Sequence, residues 1–431
     1  MQRARVNLRW LYAPLLCCGF TGAAFAQPTD AQRIADLERR LELLTQRLQQ
    51  VETVRPAPGA AAGADRGSVA STSVSAAAPA AAPLGLAAPA PASSLGIPLH
   101  AFVDVGYARD TPDPARRRGG FGLGTLDLYM TPSLGDRIKS IVEIAFEQDA
   151  DGALMIDLER VQVGYTFSDA LTLWGGRFHT PFGFWNSAFH HGAQIQTSVL
   201  RPRFLGFEDQ GGIVPVHSVG VLGSGAVALA GGRLKYDLYV ANGSQLVDGV
   251  LNASGFKDDN RDKMVGANVR HEFGGAFGGL TLGAHALTSQ VGIVDAAGLA
   301  VGRTRLNLGG VYAVYEREPW ELFAEYYAFR NRDLMGGGGR HASWAGYMQA
   351  GYEITDDWTV YARAEKAALD QTDPYFATMQ SGRSYRRASA GLRYDLNPTT
   401  ALKLEVARTS ESQATLESRT TSLRSQVAVR F

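Results

Sequence analysis

The chain has 431 residues, of which 45% are hydrophobic and 10% aromatic, and it contains 49 glycines. Its 42 basic and 42 acidic residues give a formal net charge of zero, so the composition predicts neither nucleic acid nor an anionic surface as a partner. Beyond the N-terminus no apolar run is long enough to cross a bilayer as a helix, which excludes a helical membrane protein.

Residues 1–26 have the pattern of a secretory signal peptide. Arg3, Arg5 and Arg9 precede a short apolar core, and an A-x-A cleavage motif follows at 24–26. Both cysteines of the chain lie inside this segment. The mature chain is therefore predicted to have no disulfide and no cysteine-based metal site or nucleophile.

Residues 30–55 carry a heptad pattern, in which apolar side chains recur at alternating steps of three and four between polar positions. The narrow stripe favours a coiled coil that joins several copies of the chain. The alternative is one amphipathic helix lying on another surface. Leucine at both core positions leaves dimer and trimer open. The stripe consists of Ile34, Leu37, Leu41, Leu44, Leu48 and Val51.

Residues 56–97 are dominated by alanine, proline, glycine and serine. They have almost no aromatic or charged side chains with which to build a core, so they predict a semi-extended linker.

Residues 98–431 break into segments of about 10 to 14 residues with an alternating pattern, the length that a tilted strand needs to cross a membrane. The sixteen predicted strands are 98–109, 121–132, 136–149, 154–167, 170–179, 213–223, 226–241, 264–273, 279–290, 304–316, 319–330, 344–354, 357–369, 385–395, 399–409 and 421–431. The predicted fold is all-β: a 16-stranded antiparallel transmembrane barrel preceded by the helical coiled-coil segment.

The links between these strands alternate in length. Short turns follow the even-numbered strands, including Ser224-Gly225 after the sixth, whereas long loops follow most odd-numbered strands. This asymmetry is typical of porins, with periplasmic turns and extracellular loops. Alternation alone would also fit a soluble two-sheet sandwich. The long predicted loops are 110–120, 180–212, 242–263, 291–303, 331–343, 370–384 and 410–420.

The final strand ends on Phe431, with Leu423, Val427 and Val429 on the same face. An aromatic terminus suits the interfacial girdle of a membrane barrel, and pairing with the first strand leaves no open edge in lipid. Phe431 is therefore the predicted closure residue.

A sixteen-stranded barrel is too wide to be filled by its own side chains, so whatever controls passage must narrow a water-filled lumen. The longest loop, 180–212, is rich in aromatic, proline and charged residues. The stretch from Gly176 to Gly183 has the pattern Gly-Arg-Phe followed by Pro-Phe-Gly. Together with the position of the loop, the coiled coil and Phe431, it resembles porins of the phosphate-selective O/P type that carry an N-terminal coiled coil.

This resemblance implies a trimer whose third long loop folds inward to form the constriction. It also implies that the constriction residues are Arg177, His179, Arg201, Arg203, Glu208 and Asp209.

One departure from that group is the scarcity of lysine, since the chain has only six lysines. The face predicted to line the lumen mixes both signs, so local pairing would leave no single strong field. The sequence thus predicts a weakly selective pore rather than a phosphate-specific one. The basic members are Arg160, Arg177, Lys235, Arg270, Arg305, Arg363, Arg387, Arg393, Lys403, Arg424 and Arg430; the acidic members are Glu143, Asp237, Glu272, Glu321, Glu325, Glu365 and Glu405.

The histidines His179, His190, His191 and His217, with Glu208, include enough ligand types for zinc. No spacing on one element supports a metal site, and packed histidines are the commoner arrangement. The sequence therefore predicts no metal, no other cofactor and no catalytic residue.

The predicted function is an outer-membrane porin for passive diffusion of small hydrophilic solutes or ions. The predicted partners are outer-membrane lipid and lipopolysaccharide, the barrel-assembly machinery and two further copies in a homotrimer, with no nucleic acid. The alternatives are an outer-membrane barrel enzyme of the lipase or protease type, or a structural tether in the periplasm.

Overall fold

The structure is a computed structural model that describes residues 98–112, 119–132, 134–148, 152–190, 192–208, 210–252, 261–412 and 417–431. The predicted signal peptide 1–26, coiled coil 30–55 and linker 56–97 lie outside these ranges.

The described residues form one continuous sheet in which sixteen long strands are supplemented by a short hairpin. The long strands are β1 (Leu99–Thr111), β2 (Gly120–Met130), β3 (Ile138–Gln148), β4 (Leu154–Ser168), β5 (Leu171–His179), β6 (His217–Leu229), β7 (Gly232–Ala241), β10 (Met264–Phe273), β11 (Leu280–Val294), β12 (Ala300–Arg317), β13 (Trp320–Asp333), β14 (Arg340–Thr355), β15 (Trp358–Ala368), β16 (Tyr385–Asn397), β17 (Thr400–Ser412) and β18 (Glu417–Arg430). The short hairpin is β8 (Gln245–Val247) and β9 (Val250–Leu251).

Helical structure in the described ranges is confined to short turns at Trp185–Ala188, Arg203–Leu205, Gly275–Phe277 and Pro374–Thr378. None of these helices has the length and apolar character that a membrane crossing requires.

The sheet closes on itself, because β1 pairs antiparallel with β18 as well as with β2. At the seam Phe102 lies opposite Arg430, and the backbone of Phe431 exchanges two hydrogen bonds with Ala101, at 2.8 and 3.0 Å. The ring of Phe431 remains 67% exposed. The described chain is thus an all-β, closed barrel of sixteen long antiparallel strands, as the alternating pattern predicted.

Alternation places apolar side chains on the outer face of the barrel. On β4, Leu154 and Ile156 are 66% and 65% exposed, and Met348 on β14 is 69% exposed. So large an apolar surface would be unfavourable in water, whereas a lipid bilayer covers it. This outer band and the closed barrel are consistent with a bacterial outer membrane.

One predicted turn is wrong: Ser224-Gly225 lies inside β6, and the turn to β7 falls at 230–231. Gly231 has φ +79° and provides the reversal. Gly225 instead allows a close backbone approach, since a Cβ there would lie 1.8 Å from the carbonyl oxygen of Ala170.

Several predicted loops are shorter in the structure because the strands beside them continue. The predicted loops 291–303, 331–343 and 410–420 are largely occupied by the ends of β11 to β14, β17 and β18. The predicted loop 180–212 is longer, because β6 begins at His217 rather than at 213. The link from 180 to 216 is called the β5–β6 segment below.

Candidate functional site

The site begins at an irregularity in β4. Glu143 pairs with Arg160 and the next residue, Ile144, pairs with Leu158, so Glu159 is an extra residue in a β-bulge. A bulge shifts the alternation by one position and can redirect a side chain. Glu159 is accordingly buried between two runs of exposed apolar residues on β4.

The two ends of the β5–β6 segment meet at a pair of histidines. His179 ends β5 and His217 begins β6, and the two residues lie directly opposite each other. Next to them Thr180 and Ser218 share a hydrogen bond between their hydroxyls at 2.6 Å. The segment therefore leaves and re-enters the barrel wall at one point.

A third histidine comes back to this point from within the segment. His190 stacks on His179 with ring centroids 3.4 Å apart, and its Nε2 lies 2.9 Å from Nε2 of His217. Glu159 contacts Nε2 of His217 through Oε2, which is also 3.8 Å from Nε2 of His190. Glu159, His179, His190 and His217 each offer a ligand atom, and these atoms all lie within 4.8 Å of one another.

The outer nitrogens of two of these rings have defined partners. Asn186 uses its Nδ2 to donate to the carbonyl of Thr180, at 2.9 Å, which leaves its Oδ1 to accept from Nδ1 of His190, also at 2.9 Å. Glu208 Oε2 lies 3.2 Å from Nδ1 of His217. Both outer nitrogens therefore carry the ring proton, and both Nε2 atoms point into the cluster.

The β5–β6 segment is anchored to the opposite wall by Glu325 of β13. This buried carboxylate accepts hydrogen bonds from the backbone amides of Phe184 and Trp185, both at 2.8 Å. It also accepts from the hydroxyls of Tyr327 at 2.8 Å and Tyr347 at 2.7 Å. Four donors thus converge on one side chain.

The residue before this anchor is Gly183, which has φ +61°. A Cβ at this position would lie 2.0 Å from the hydroxyl of Tyr327 and 2.3 Å from Oε2 of Glu325. Only glycine allows the chain to turn so close to the wall.

Two further carboxylates hold the later part of the segment. Glu405 on β17 accepts from the amides of Val199 and Leu200, both at 2.9 Å. Glu365 on β15 accepts from the amide of Arg203 at 2.7 Å. All these bonds have backbone donors, so they fix the path of the segment.

Basic residues of the wall bind the carbonyl groups of the same segment. Arg363 donates to the carbonyl of Leu200 at 2.8 Å, and Arg393 donates to that of Gln194 at 2.6 Å. Lys403 donates to the carbonyl of Gln196, also at 2.6 Å. The segment is held through both kinds of backbone group.

These contacts correct one expectation from the sequence. Five charged residues of the wall point away from the outer face, as predicted, but each is buried. They are Glu325, Arg363, Glu365, Lys403 and Glu405. They contact the β5–β6 segment rather than lining a water-filled lumen.

Aromatic packing fills the space between these polar contacts. Trp185 lies edge-on to Tyr347 at 5.7 Å, and Phe204 lies edge-on to Tyr327 at 5.1 Å, in both cases between ring centroids. Leu205, Trp185 and Phe204 are all buried. The segment thus forms one apolar cluster with the strands β13 and β14.

The predicted constriction residues divide into buried and partly exposed groups. Arg177 and Glu208 are both 2% exposed, and the side chain of His179 is 10% exposed. The side chain of Arg203 is 26% exposed, pairs with Glu411 and lies over the ring of Tyr385. Asp209 and His191 lie outside the described residues.

Arg201 is partly buried and holds the segment together. Its guanidinium donates to the carbonyls of Leu205, at 3.1 Å, and His190, and its Cζ lies 4.0 Å from the centroid of the Phe207 ring. Burial lowers the pKa of Arg201 to about 10, against the opposing effect of nearby glutamates such as Glu208, so the group stays charged at neutral pH.

A small cavity adjoins the histidine cluster, and four carboxylates take part in its lining. One of them, Asp157, has a side chain that is 47% exposed. The lining residues are Glu147, Met155, Asp157, Glu159, Phe207, Glu208 and His217.

The sequence alone identified three members of the histidine cluster but missed Glu159. The available signal was the break in alternation between Leu154-x-Ile156-x-Leu158 and Val161-x-Val163, which marks a bulge.

Comparison with known proteins gives matches in structure only. No protein-family model matches the chain, and no curated protein matches it. The anion-selective porin from Comamonas acidovorans is similar in structure, with a TM-score of 0.56 and 15% identity over 78% of this chain and 99% of that chain. The outer membrane channel DcaP of Acinetobacter baumannii has a TM-score of 0.55 and 12% identity over 78% and 97% of the two chains.

A third similar structure is the outer-membrane expressed OmpT of Vibrio cholerae, with a TM-score of 0.50 and 12% identity over 78% of this chain and 97% of that chain. At these identities the likeness concerns the fold. The described residues have the fold of an outer-membrane porin.

Proposed function

We propose that the chain forms a passive channel in the bacterial outer membrane for small hydrophilic solutes, and that the β5–β6 segment folds into the barrel to narrow it. The observation that carries this proposal is the anchoring of the segment. It leaves the wall between β5 and β6, yet its amides bind Glu325, Glu365 and Glu405 on β13, β15 and β17. A segment attached to both sides of the barrel crosses the lumen and reduces its width.

The test is single-channel recording of the purified protein in a planar bilayer. Discrete conductance steps of porin size are the expected result, because a barrel of this width holds water where the segment does not fill it. A preparation that is folded by circular dichroism but gives no steps would contradict the proposal. Such a result would favour a barrel enzyme or a periplasmic tether instead.

The same recording under a salt gradient tests selectivity. The charged groups that keep partial exposure near the segment have both signs, with Asp157 paired to Arg177 and Arg203 paired to Glu411. Paired charges produce little net field, so a weak ion preference is expected. One structural neighbour is described as an anion-selective porin. A large reversal potential would show that the present channel shares a strong preference of that kind.

We place the beginning of β1 and the end of β18 in the periplasm. Short turns such as 169–170 and 318–319 lie on the side where β1 begins, and the β5–β6 segment leaves from the other side. The signal peptide and the coiled coil predicted from the sequence fit this orientation, and we propose a homotrimer held together in part by 30–55. Chemical cross-linking of the full chain, compared with a chain that lacks 30–55, measures that contribution.

We propose that the rim of the barrel on the side opposite the short turns, called the outer rim here, binds the phosphates of lipopolysaccharide. Exposed basic residues occupy this rim on neighbouring strands, and two pairs lie directly opposite each other: Arg332 with Arg340, and Lys366 with Arg386. Like charges in opposite positions repel, and an anion between them removes the repulsion. A net charge of zero therefore conceals a local basic belt. Its members are Arg330, Arg332, Arg340, Lys366, Arg386, Arg408 and Arg419.

Replacing Arg332 and Arg340 together by glutamine is expected to have opposite effects in two media. In lipopolysaccharide-free detergent, loss of the repulsion should stabilise the barrel by about 0.2–1 kcal/mol. Added lipopolysaccharide should raise the unfolding midpoint of the wild type more than that of the variant. Lys139→Gln, an exposed change on β3 at the opposite rim, is the matched control. Equal responses of wild type and double variant would remove the belt as a binding site.

A further inference from the structure

We propose that Glu159, His179, His190 and His217 bind a zinc ion at the point where the β5–β6 segment leaves and re-enters the barrel. The four residues supply three imidazole nitrogens and one carboxylate oxygen within 4.8 Å of one another. This donor set matches the preference of zinc for nitrogen ligands and four-coordinate sites.

The separations between ligand atoms are spread around the value that zinc would impose and extend up to 4.8 Å. Ligand atoms at 2.0–2.1 Å from a tetrahedral zinc lie about 3.3 Å apart. The separation between the Nε2 atoms of His190 and His217 is 2.9 Å, and His190 Nε2 lies 3.8 Å from Oε2 of Glu159. These values lie on either side of the separation that zinc requires.

The hydrogen bonds around the cluster orient two ligands for a cation. Asn186 and Glu208 accept from the Nδ1 atoms of His190 and His217. Where both rings are neutral, their Nε2 atoms face each other as acceptors at 2.9 Å, and a positive charge between or beside them relieves the repulsion. Histidines that bind a metal through one ring nitrogen typically donate a hydrogen bond from the other, as His190 and His217 do here.

The positive charge could be a proton shared by His217 and Glu159, or a metal ion. The adjoining cavity favours the ion, because the carboxylates of Glu147, Asp157 and Glu208 line it beside the cluster. Arg177 lies 3.8 Å from Asp157 and offsets part of this charge, and the remaining negative charge of the lining favours a cation. Since all four positions are filled by protein ligands, the ion would serve structure rather than catalysis.

Zinc at this position would join both ends of the β5–β6 segment to one of its internal residues. His179 precedes the segment, His217 follows it, and His190 lies within it. A metal bond across such a link restricts its freedom to move. We infer that zinc holds the segment in place, a role that rests on the channel function proposed above.

The binding test uses the full chain in detergent, purified with a tag free of histidine and stripped with a chelator. Titration with zinc, followed by calorimetry and elemental analysis, is expected to show stoichiometric binding. Glu159→Gln and His190→Gln should each weaken binding by about ten-fold or more, and Asn186→Ala by about 10–100-fold. His271→Gln, which changes a histidine on β10 outside the cluster, should bind zinc as the wild type does.

Absence of stoichiometric zinc in the wild type would overturn the site and leave the shared proton as the alternative. Displacement of zinc by excess calcium would also overturn it, because calcium prefers oxygen ligands and would report the acidic cavity. If the ligand variants fail to fold, cobalt bound to the wild type gives the answer. Intense visible bands indicate four-coordinate geometry, whereas weak octahedral bands contradict the proposal.

A second measurement separates the site from the channel function. Chelation of zinc should increase the current fluctuations of the wild type. The fluctuations of His190→Gln should not change on chelation. Stoichiometric binding without any effect on current would keep the zinc site but reject its role in holding the segment. No channel activity at all would reject the channel proposal and leave the binding result intact.

Discussion

Replacing residues 184–209 by a short glycine-serine linker is expected to raise single-channel conductance about two-fold or more, since a sixteen-stranded barrel without an obstruction encloses a wide water-filled lumen. The replaced part contains Trp185, Val199, Leu200 and Arg203, whose amides bind the wall. The barrel itself should persist, because its strands are paired independently of the segment, including β1 with β18. Conductance in a planar bilayer is the measurement.

A matched control shortens another link on the same rim. The glycine-rich residues 334–339 join β13 to β14, and they are not among the residues that anchor the β5–β6 segment. Their shortening should leave conductance unchanged. If the 184–209 replacement folds and conducts like the wild type, the segment does not narrow the pore, and the proposed constriction is wrong.

Glu325→Ala is expected to release the first part of the segment while the barrel remains closed. The change leaves four donors without their acceptor, namely two backbone amides and the hydroxyls of Tyr327 and Tyr347. Each buried donor left unsatisfied costs about 1–3 kcal/mol, although such costs do not simply add. The segment should therefore become mobile, which predicts larger current fluctuations and faster proteolysis.

The location of protease cleavage gives the sharper readout for this variant. Cleavage between 184 and 209 is expected in Glu325→Ala and not in the control Glu353→Ala, which removes an exposed carboxylate from β14. Unchanged resistance in the folded Glu325→Ala variant would mean that Glu365 and Glu405 suffice to hold the segment.

The sequence predicted the number and pairing of the long strands well, because the outer face of a membrane barrel must be apolar at every second position. The positions at which strands end are harder to predict. Alternation continues through Val294 and resumes at Ala300, so the β11–β12 hairpin is longer than the predicted loop 291–303 allowed. Gly225 was interpreted as a turn because glycine marks both turns and close backbone contacts.

The site could be predicted only in part, because its contacts are distant in sequence. The inward direction of Glu325 and Glu405 follows from alternation within one strand. Their partners are the amides of Trp185 and Val199, about 140 and 206 positions away. No periodicity within one sequence encodes such a pairing. Glu159 was missed for a local reason, since a bulge reverses the face on which a residue is expected.

The anchoring carboxylates bind main-chain amides at positions 184, 185, 199, 200 and 203, and every amino acid except proline supplies that group. The path of the β5–β6 segment therefore does not depend on which side chains occupy several of its positions. Val199 and Leu200 could be exchanged for acidic or basic residues without removing the bonds that position them. Substitutions at these two positions could therefore change the charge that passing ions meet while the backbone of the segment stays in place.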